Sequence, residues 1–324
     1  MQVHRDISNL PFFKNAAITI GTFDGVHSGH LQIINQLKKE AQKDNGETVI
    51  ITFDPHPRMI LNLQSNKPPI QLLNTLPEKI ELLNKQGIDH LVIVPFTVEF
   101  SNQSADEYIA DFLVSKFKPK TIIIGYDHRF GKDRSGDYKL MEKYQQTFNY
   151  EVKEIPQHIL HHVIISSTKI RQALKDGDIS TANECLGYDY FFEGKVIKGN
   201  QLGRKLGYPT ANLQINNKNK LVPADGIYAV SVSIGKQHCN SNTGFIAESN
   251  RMGMLSTGWR PTIGDNKKMI EVNIFDFDED IYDRDLRVYI KQFMRKELKL
   301  NDLNELKKQI AIDEINAKKI LGYE

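Results

Sequence analysis

A change of hydrophobic period near residue 187 constrains this chain more than any other feature. Before it, short apolar runs alternate with helical patterns; after it, apolar residues recur at every second position until a last helical stretch. In the first part, Ala16 to Ile20 is followed by Leu31, Ile33, Ile34, Leu37 and Ala41 at helical spacing, with Gly46 placed to close that helix in a left-handed conformation. Glu47 to Phe53, Leu91 to Pro95 and Thr121 to Gly125 are further strand patterns. Thr75-Leu76-Pro77-Glu78 forms a capping box for a helix reaching Gly87, Ser104-Ala105-Asp106-Glu107 caps another, and Asp137 to Thr147 is helical. This rhythm predicts an α/β, doubly wound parallel sheet with ligands beyond the carboxyl ends of its strands.

Beyond Gly187, Phe191 to Lys198, Tyr228 to Ile234, Met269 to Phe275 and Leu286 to Ile290 alternate in period two between Gly, Pro, Asn and Asp clusters. An antiparallel β-barrel or sandwich is expected, with Leu303, Leu306, Ile310, Ala317 and Leu321 supplying one C-terminal helix. The expected domains are 1–186 and 187–324, and Gln237 to Asn250 is polar enough for a mobile loop. A length of 324 residues suits two domains of about 150 each.

Composition narrows the function. With 42 Lys plus Arg against 40 Asp plus Glu, the net charge is +2, too near neutral for a non-specific nucleic-acid binder. Small phosphorylated substrates fit better. Cys185 and Cys239 form no metal-binding spacing, the opening residues contain no apolar signal core, and no stretch approaches the roughly 20 apolar residues that span a bilayer. The expectation is a soluble, cytoplasmic protein with no membrane or nucleic-acid partner.

Two segments carry phosphate chemistry. Gly21-Thr22-Phe23-Asp24-Gly25-Val26-His27-Ser28-Gly29-His30 lies at a strand-to-helix junction, where helix N–H groups make an anion site. His27 and His30 can face the space ahead of the helix, Gly29 lets a triphosphate approach the backbone, and imidazolium groups would stabilise charge as pyrophosphate leaves. Helix capping or metal binding is the alternative. Asp54 and His56 in Asp54-Pro55-His56-Pro57 could orient a substrate, or mark a turn in which the prolines forbid helix. Arg129, Lys132 and Arg134 form a basic loop that could close on substrate or lie in solvent. His158, His161 and His162 lack metal partners at suitable spacing.

Together with Thr52 to Pro57, Gly125 to Gly136 and Ile165-Ser166-Ser167-Thr168-Lys169-Ile170-Arg171, the first segment resembles the adenylyltransferase half of prokaryotic bifunctional riboflavin kinase/FAD synthetases. The resemblance implies that His27 and His30 contact ATP phosphates within a site formed by Gly21, Phe23, Asp24 and Gly29. It also implies that Asp127 lies near the adenosine or metal, and that Ser166, Thr168 and Arg171 secure phosphates.

The second segment runs from Gly194 to Leu213 and contains Gly203, Lys205, Gly207 and Pro209-Thr210-Ala211-Asn212. It is no P-loop. Glycines on an irregular loop can present N–H groups to phosphates, while Thr210 and Asn212 offer hard oxygens suited to Mg²⁺; a Gly-rich β-turn is the alternative. With Pro223 to Tyr228, Trp259 to Gly264 and Glu271 to Phe277, it looks like the signature of the riboflavin kinase barrel, although Ser256-Thr257-Gly258 and Asn273 depart from the usual pattern. The likeness implies that Gly203, Lys205 and Gly207 bind ATP, that Thr210 and Asn212 bind Mg·ATP, and that Glu271 is the base for the ribityl hydroxyl. Period-two alternation does put Glu271 and Asn273 opposite Ile270, Val272 and Ile274.

The expected activity is phosphorylation of riboflavin to FMN, then adenylylation of FMN to FAD, with ATP, riboflavin, FMN and FAD as substrates or products and Mg²⁺ accompanying ATP. A nucleotidyltransferase for another phosphate ester and a flavin sensor are the rival readings.

Overall fold

The computed structural model describes residues 1–155, 165–199, 201–236, 245–262, 265–299 and 302–323. They form two compact units, one of residues 1–72 and 76–166, the other of 73–75 and 167–324. Residues 167–186, placed in the first domain from sequence, therefore cluster with the second unit.

The first unit is a six-stranded parallel sheet. Its strands are β1 (Gln2–His4), β2 (Ala17–Ile20), β3 (Thr48–Asp54), β4 (His90–Pro95), β5 (Thr121–Gly125) and β6 (Glu151–Ile155), in the order β1-β4-β3-β2-β5-β6. The central strands β2 to β5 are almost continuously buried because helices cover both faces of such a sheet. Ile18, Ile20, Val49, Ile51, Ile122 and Ile124 pack with Ile109, Phe112, Leu113 and Phe117 from the helical segment 105–117. The helices include α1 (Ser28–Lys43), α2 (Pro57–Gln64), α3 (Leu76–Asn84) and α4 (Tyr138–Phe148). Ser104 and Glu107 form the expected capping box, and Asp137 caps α4 through Leu140 N–H.

Two local expectations are corrected. Pro57 starts α2 instead of forbidding helix: its missing N–H costs nothing at N1, and His56 Nδ1 caps the helix by accepting from Arg58 N–H at 3.1 Å. The left-handed residue after α1 is Asn45 (φ +46), whereas Gly46 is required because a Cβ there would lie 2.2 Å from Asn15 O.

In the second unit, α5 (Ser167–Asp176) and α6 (Ile179–Leu186) precede a closed antiparallel barrel. Its strands are β7 (Phe191–Ile197), β8 (Ala211–Gln214), β9 (Gly226–Gly235), β10 (Ala247–Thr262), β11 (Asp265–Ile274) and β12 (Asp285–Arg295), ordered β10-β11-β8-β7-β12-β9. The short helix α7 (Leu202–Leu206) lies between β7 and β8, and α8 (Leu303–Leu321) is the expected C-terminal helix, capped by Asp302. Residues 247–250, expected in a loop, begin β10; residues 237–244 lie outside the described residues, as do His158, His161 and His162.

Closure of the loop after β5 depends on Gly131. Its φ is +71, and a Cβ there would meet Ala105 backbone atoms at 2.8 Å. Gly131→Ala should destabilise the first unit by roughly 1–3 kcal/mol, read as a lower urea midpoint of the full chain; an unchanged midpoint contradicts the tight approach.

Candidate active sites

Strand order reverses at β2: β3 and β4 lie to one side of it, β5 and β6 to the other. A parallel sheet leaves its ligand crevice at such a point, beyond the strand ends. Gly21 N–H extends the ladder to Ile51 O at 3.0 Å, after which the backbone turns sharply, with φ of +46 at Phe23, +91 at Gly25 and +36 at Val26. Positive φ at non-glycine residues is strained and persists where surroundings enforce it. Here Phe23, Val26 and Asp24 are all buried, and a Cβ on Gly21 would press the Phe23 ring at 3.2 Å.

This turn delivers His27 to the N-cap of α1, with extended backbone and no capping bond from its side chain. The His27 and His30 rings stack with centroids 3.7 Å apart and planes 18° apart, and Phe23 lies 4.9 Å from His30. Gly29 makes room for that stack, since its Cβ would lie 3.2 Å from His27 Nδ1. His30 Nδ1 is buried without a hydrogen-bond partner among the described residues. Burial, then His27, then Lys79 push the His30 pKa well below its ordinary value. The expectation of imidazolium groups is thus corrected for the free protein: His30 is neutral at neutral pH, and two charged rings in this stack would repel.

The end of β3 adds Asp54, which is exposed, while His56 is buried as the cap of α2. Lys79, which sequence reasoning missed, reaches the same region from α3: it is 5% exposed, its ammonium donates to Thr52 Oγ1 at 3.4 Å, and the Thr52 hydroxyl donates to Thr22 O at 3.2 Å. The signal was a lysine in the apolar stripe with Leu82 and Leu83.

After β5, Asp127, Arg129 and Arg134 are exposed. Phe130 holds this loop down, stacking on Tyr108 at 4.9 Å and pairing with Gly136. His128 Nε2 is buried and without a hydrogen-bond partner among the described residues, and burial draws its pKa down to about 4. Ser166 ends the first unit; Thr168 and Arg171 lie on α5 of the second, Thr168 exposed and Arg171 buried.

In the barrel, Glu271 on β11 pairs directly with Asn212 on β8 and, on its other side, with Ser256 on β10. Paired residues share a face, so these three form one row, while Ala211, Val272 and Leu255 form the opposite row. Val272 and Leu255 are fully buried. Asn212 Oδ1 is buried with no hydrogen-bond partner among the described residues, and a Cβ on Gly199 would lie 2.2 Å from its amide nitrogen, so a larger residue there would displace the Asn212 side chain. Asn273 donates to Pro209 O at 2.8 Å, tying β11 to the turn that carries Thr210. Gly207 closes α7 at φ +89, and a Cβ on Gly203 would meet Tyr208 O at 2.3 Å. The Lys205 side chain lies outside what is described. A cavity of about 180 Å³ opens beside this loop, with Val196, Ala211, Val272 and Ile274 as apolar lining and Thr210, Gln201 and Arg204 among its polar lining.

Residues 11–169 match the FAD synthetase family and residues 186–321 the riboflavin kinase family. The bifunctional riboflavin kinase/FMN adenylyltransferase of Buchnera aphidicola subsp. Schizaphis graminum is 36% identical over 318 residues, 97% of this chain and 96% of that protein. The chain belongs to the bifunctional riboflavin kinase/FMN adenylyltransferase family. The Escherichia coli K12 member of that family is 33% identical over 324 residues, 99% of this chain and 98% of its own. A crystal structure titled macrolide-efflux protein, from Streptococcus pneumoniae, is 29% identical with a TM-score of 0.82, covering 98% of each chain. Among the described residues of this family member, no helix is long and apolar enough to cross a membrane.

Burial keeps His30 and His128 neutral, so the unfolded chain binds more protons between their ordinary value, 6.5, and their depressed folded values, about 4 for His128. Stability contributed by these groups is complete above pH 6.5 and falls as acid is added. Urea midpoints should therefore drop as pH falls below 6.5, and His128→Asn should flatten that slope; an equal slope in the variant contradicts the buried neutral imidazole.

Proposed function

We propose that this chain phosphorylates riboflavin to FMN on the barrel and adenylylates FMN to FAD at the reversal point of the parallel sheet. Adenylyl transfer is assigned to 1–186 and kinase activity to 187–324. The observation that carries the kinase assignment is the direct pairing of Glu271 with Asn212. It sets a carboxylate beside a buried amide oxygen that lacks a hydrogen-bond partner among the described residues.

In the kinase step, Glu271 accepts the proton of the ribityl terminal hydroxyl as its oxygen bonds to the γ-phosphorus and the bond to ADP breaks. Gly203, Gly207 and Lys205 belong to the loop that holds the nucleotide, and the apolar side of the cavity suits a base. Thr210 and Asn212 fit a Mg²⁺ ion arriving with ATP, because neutral oxygens and phosphate oxygens satisfy a cation that keeps several waters; bound there, it would neutralise phosphate charge.

In the adenylyl step, an FMN phosphate oxygen bonds to the α-phosphorus of ATP and pyrophosphate departs. His27 and His30, at the start of α1, donate to phosphate oxygens, with Gly21, Phe23, Asp24 and Gly29 shaping the turn. His30 is neutral when free, and an adjacent polyphosphate favours its protonated form, so nucleotide binding takes up a proton. Asp127 is assigned to the adenosine or metal, Ser166, Thr168 and Arg171 to phosphate, and Asp54, Arg129 and Arg134 to flavin. His56 serves them indirectly as the cap of α2. The substrates are small molecules, and the near-neutral charge supports the absence of a nucleic-acid partner. A cytoplasmic setting matches the supply of ATP that both steps need.

Glu271→Gln should lower FMN formation by on the order of 100-fold or more while added FMN is still converted to FAD; His30→Ala should do the reverse. Separate chromatography of FMN and FAD over time checks both, and equal loss of both steps in each folded variant overturns the two-site assignment.

A further inference from the structure

Lys79 is not used by the reaction as assigned above, yet its position is costly. It occupies a core position of α3, beside the buried Leu82 and Leu83, and is itself 5% exposed. An ammonium has three donors, and removing it from water is unfavourable unless those donors and its charge are satisfied. Lys79 makes one hydrogen bond among the described residues, a long one of 3.4 Å to Thr52 Oγ1. A methionine would fill the same stem without that penalty, so packing alone does not account for the residue.

The charges around it do. Burial lowers the Lys79 pKa, and the charges of Asp24, 1% exposed in the turn after β2, and of Asp54, the last residue of β3, counter that effect in part by favouring the ammonium. Thr52 links it to the same turn, since that hydroxyl donates to Thr22 O at 3.2 Å. The His30 ring feels the charges of both Lys79 and the stacked His27. Three elements thus meet at one ammonium: the β2–α1 turn, the end of β3, and α3.

We propose that Lys79 is a positioning residue for adenylyl transfer, its buried ammonium compensating Asp24 and Asp54 at the ends of β2 and β3 and setting the charge beside His30. This rests on the adenylyltransferase reading of that site. Removing the lysine would take a positive charge away from buried Asp24, in the turn that is to receive the anionic ATP and FMN phosphates. With it, one ammonium stands against two carboxylates before substrate arrives, a fixed charge arrangement that needs no reorganisation during reaction. The groups that set the protonation of His30 are then His27, Lys79 and, through Lys79, Asp24 and Asp54.

The test uses the full chain with Lys79→Met, Lys79→Arg and His30→Ala. Adenylylation of added FMN is measured across pH, riboflavin phosphorylation in the same preparations reports intact protein, and His30 is titrated by NMR of ring-labelled histidine, assigned with His30→Ala. Lys79→Met should lower kcat/KM for adenylylation by on the order of 100-fold, raise the His30 pKa because a neighbouring positive charge is gone, and shift the acid limb of the profile to higher pH. Lys79→Arg should keep the titration and most of the rate, and kinase activity should be unchanged in both. An unshifted His30 titration in Lys79→Met, or a loss in Lys79→Arg as large as in Lys79→Met, overturns the proposal. Should the Met variant not fold, Lys79→Gln replaces it with the same expected titration shift. If His30→Ala itself leaves adenylylation intact, the reading of the site fails, independently of Lys79.

Discussion

Parallel pairing of β2 with β3 on one side and β5 on the other decides where the first unit can do chemistry. The ladder continues one residue past β2, through Gly21 N–H and Ile51 O, and the chain then has to leave the sheet within six residues to start α1. Phe23, Gly25 and Val26 absorb that turn at positive φ. The same turn buries Asp24 and brings the two imidazoles into a stack at the helix start. Asp24 and both imidazoles are therefore held by backbone geometry that the sheet enforces. The depressed basicity of His30 follows in part from it, since burial and the neighbouring His27 are consequences of where the turn ends, while Lys79 comes from α3.

The barrel reaches a similar result through register. Asn212, Glu271 and Ser256 share a row because Ala211, Val272 and Leu255 share the other, and the latter two of these are fully buried. A slip of one residue between β8 and β11 would send Glu271 into the interior and Val272 outward. The apolar interior thereby secures the pairing of carboxylate and amide more firmly than any contact between the two. Asn273, which departs from the usual family pattern, stays within this scheme by holding Pro209 O just ahead of Thr210.

Long periodic features were legible in the sequence, and features decided by a single contact were not. The βα alternation and the change to period two each repeat over many residues, and the capping box at Ser104 is a complete local pattern, so they survive without tertiary information. The strand β1 has three residues and owes its existence to β4, which no local pattern reveals. α2 was hidden because Pro57 carries opposite meanings inside a helix and at its first position. Gly46 was identified as special for the wrong reason: its constraint is the approach of Asn15, distant in sequence. At the sites, the residue types were legible but their charge states were not. His30 is neutral, and Lys79 belongs to its environment, only because folding buries both.

Net charge near zero in a protein that handles polyphosphates also has a structural basis. Many cations of the barrel are already committed to carboxylates: Lys268 to Asp225, Arg284 to Glu248, Arg287 to Glu193 and Arg295 to Asp313. Arg287 is further enclosed between the rings of Phe191 and Phe245. The groups proposed to receive the nucleotide there are mainly neutral, namely the amide of Asn212, the hydroxyl of Thr210 and the backbone of a glycine-rich loop. At the sheet, the proposed site likewise combines a neutral imidazole with a lysine near carboxylates. A site assembled from neutral donors and compensated charges attracts a long polyanion weakly, because little counterion release is available, yet it fits a compact phosphate chain group by group.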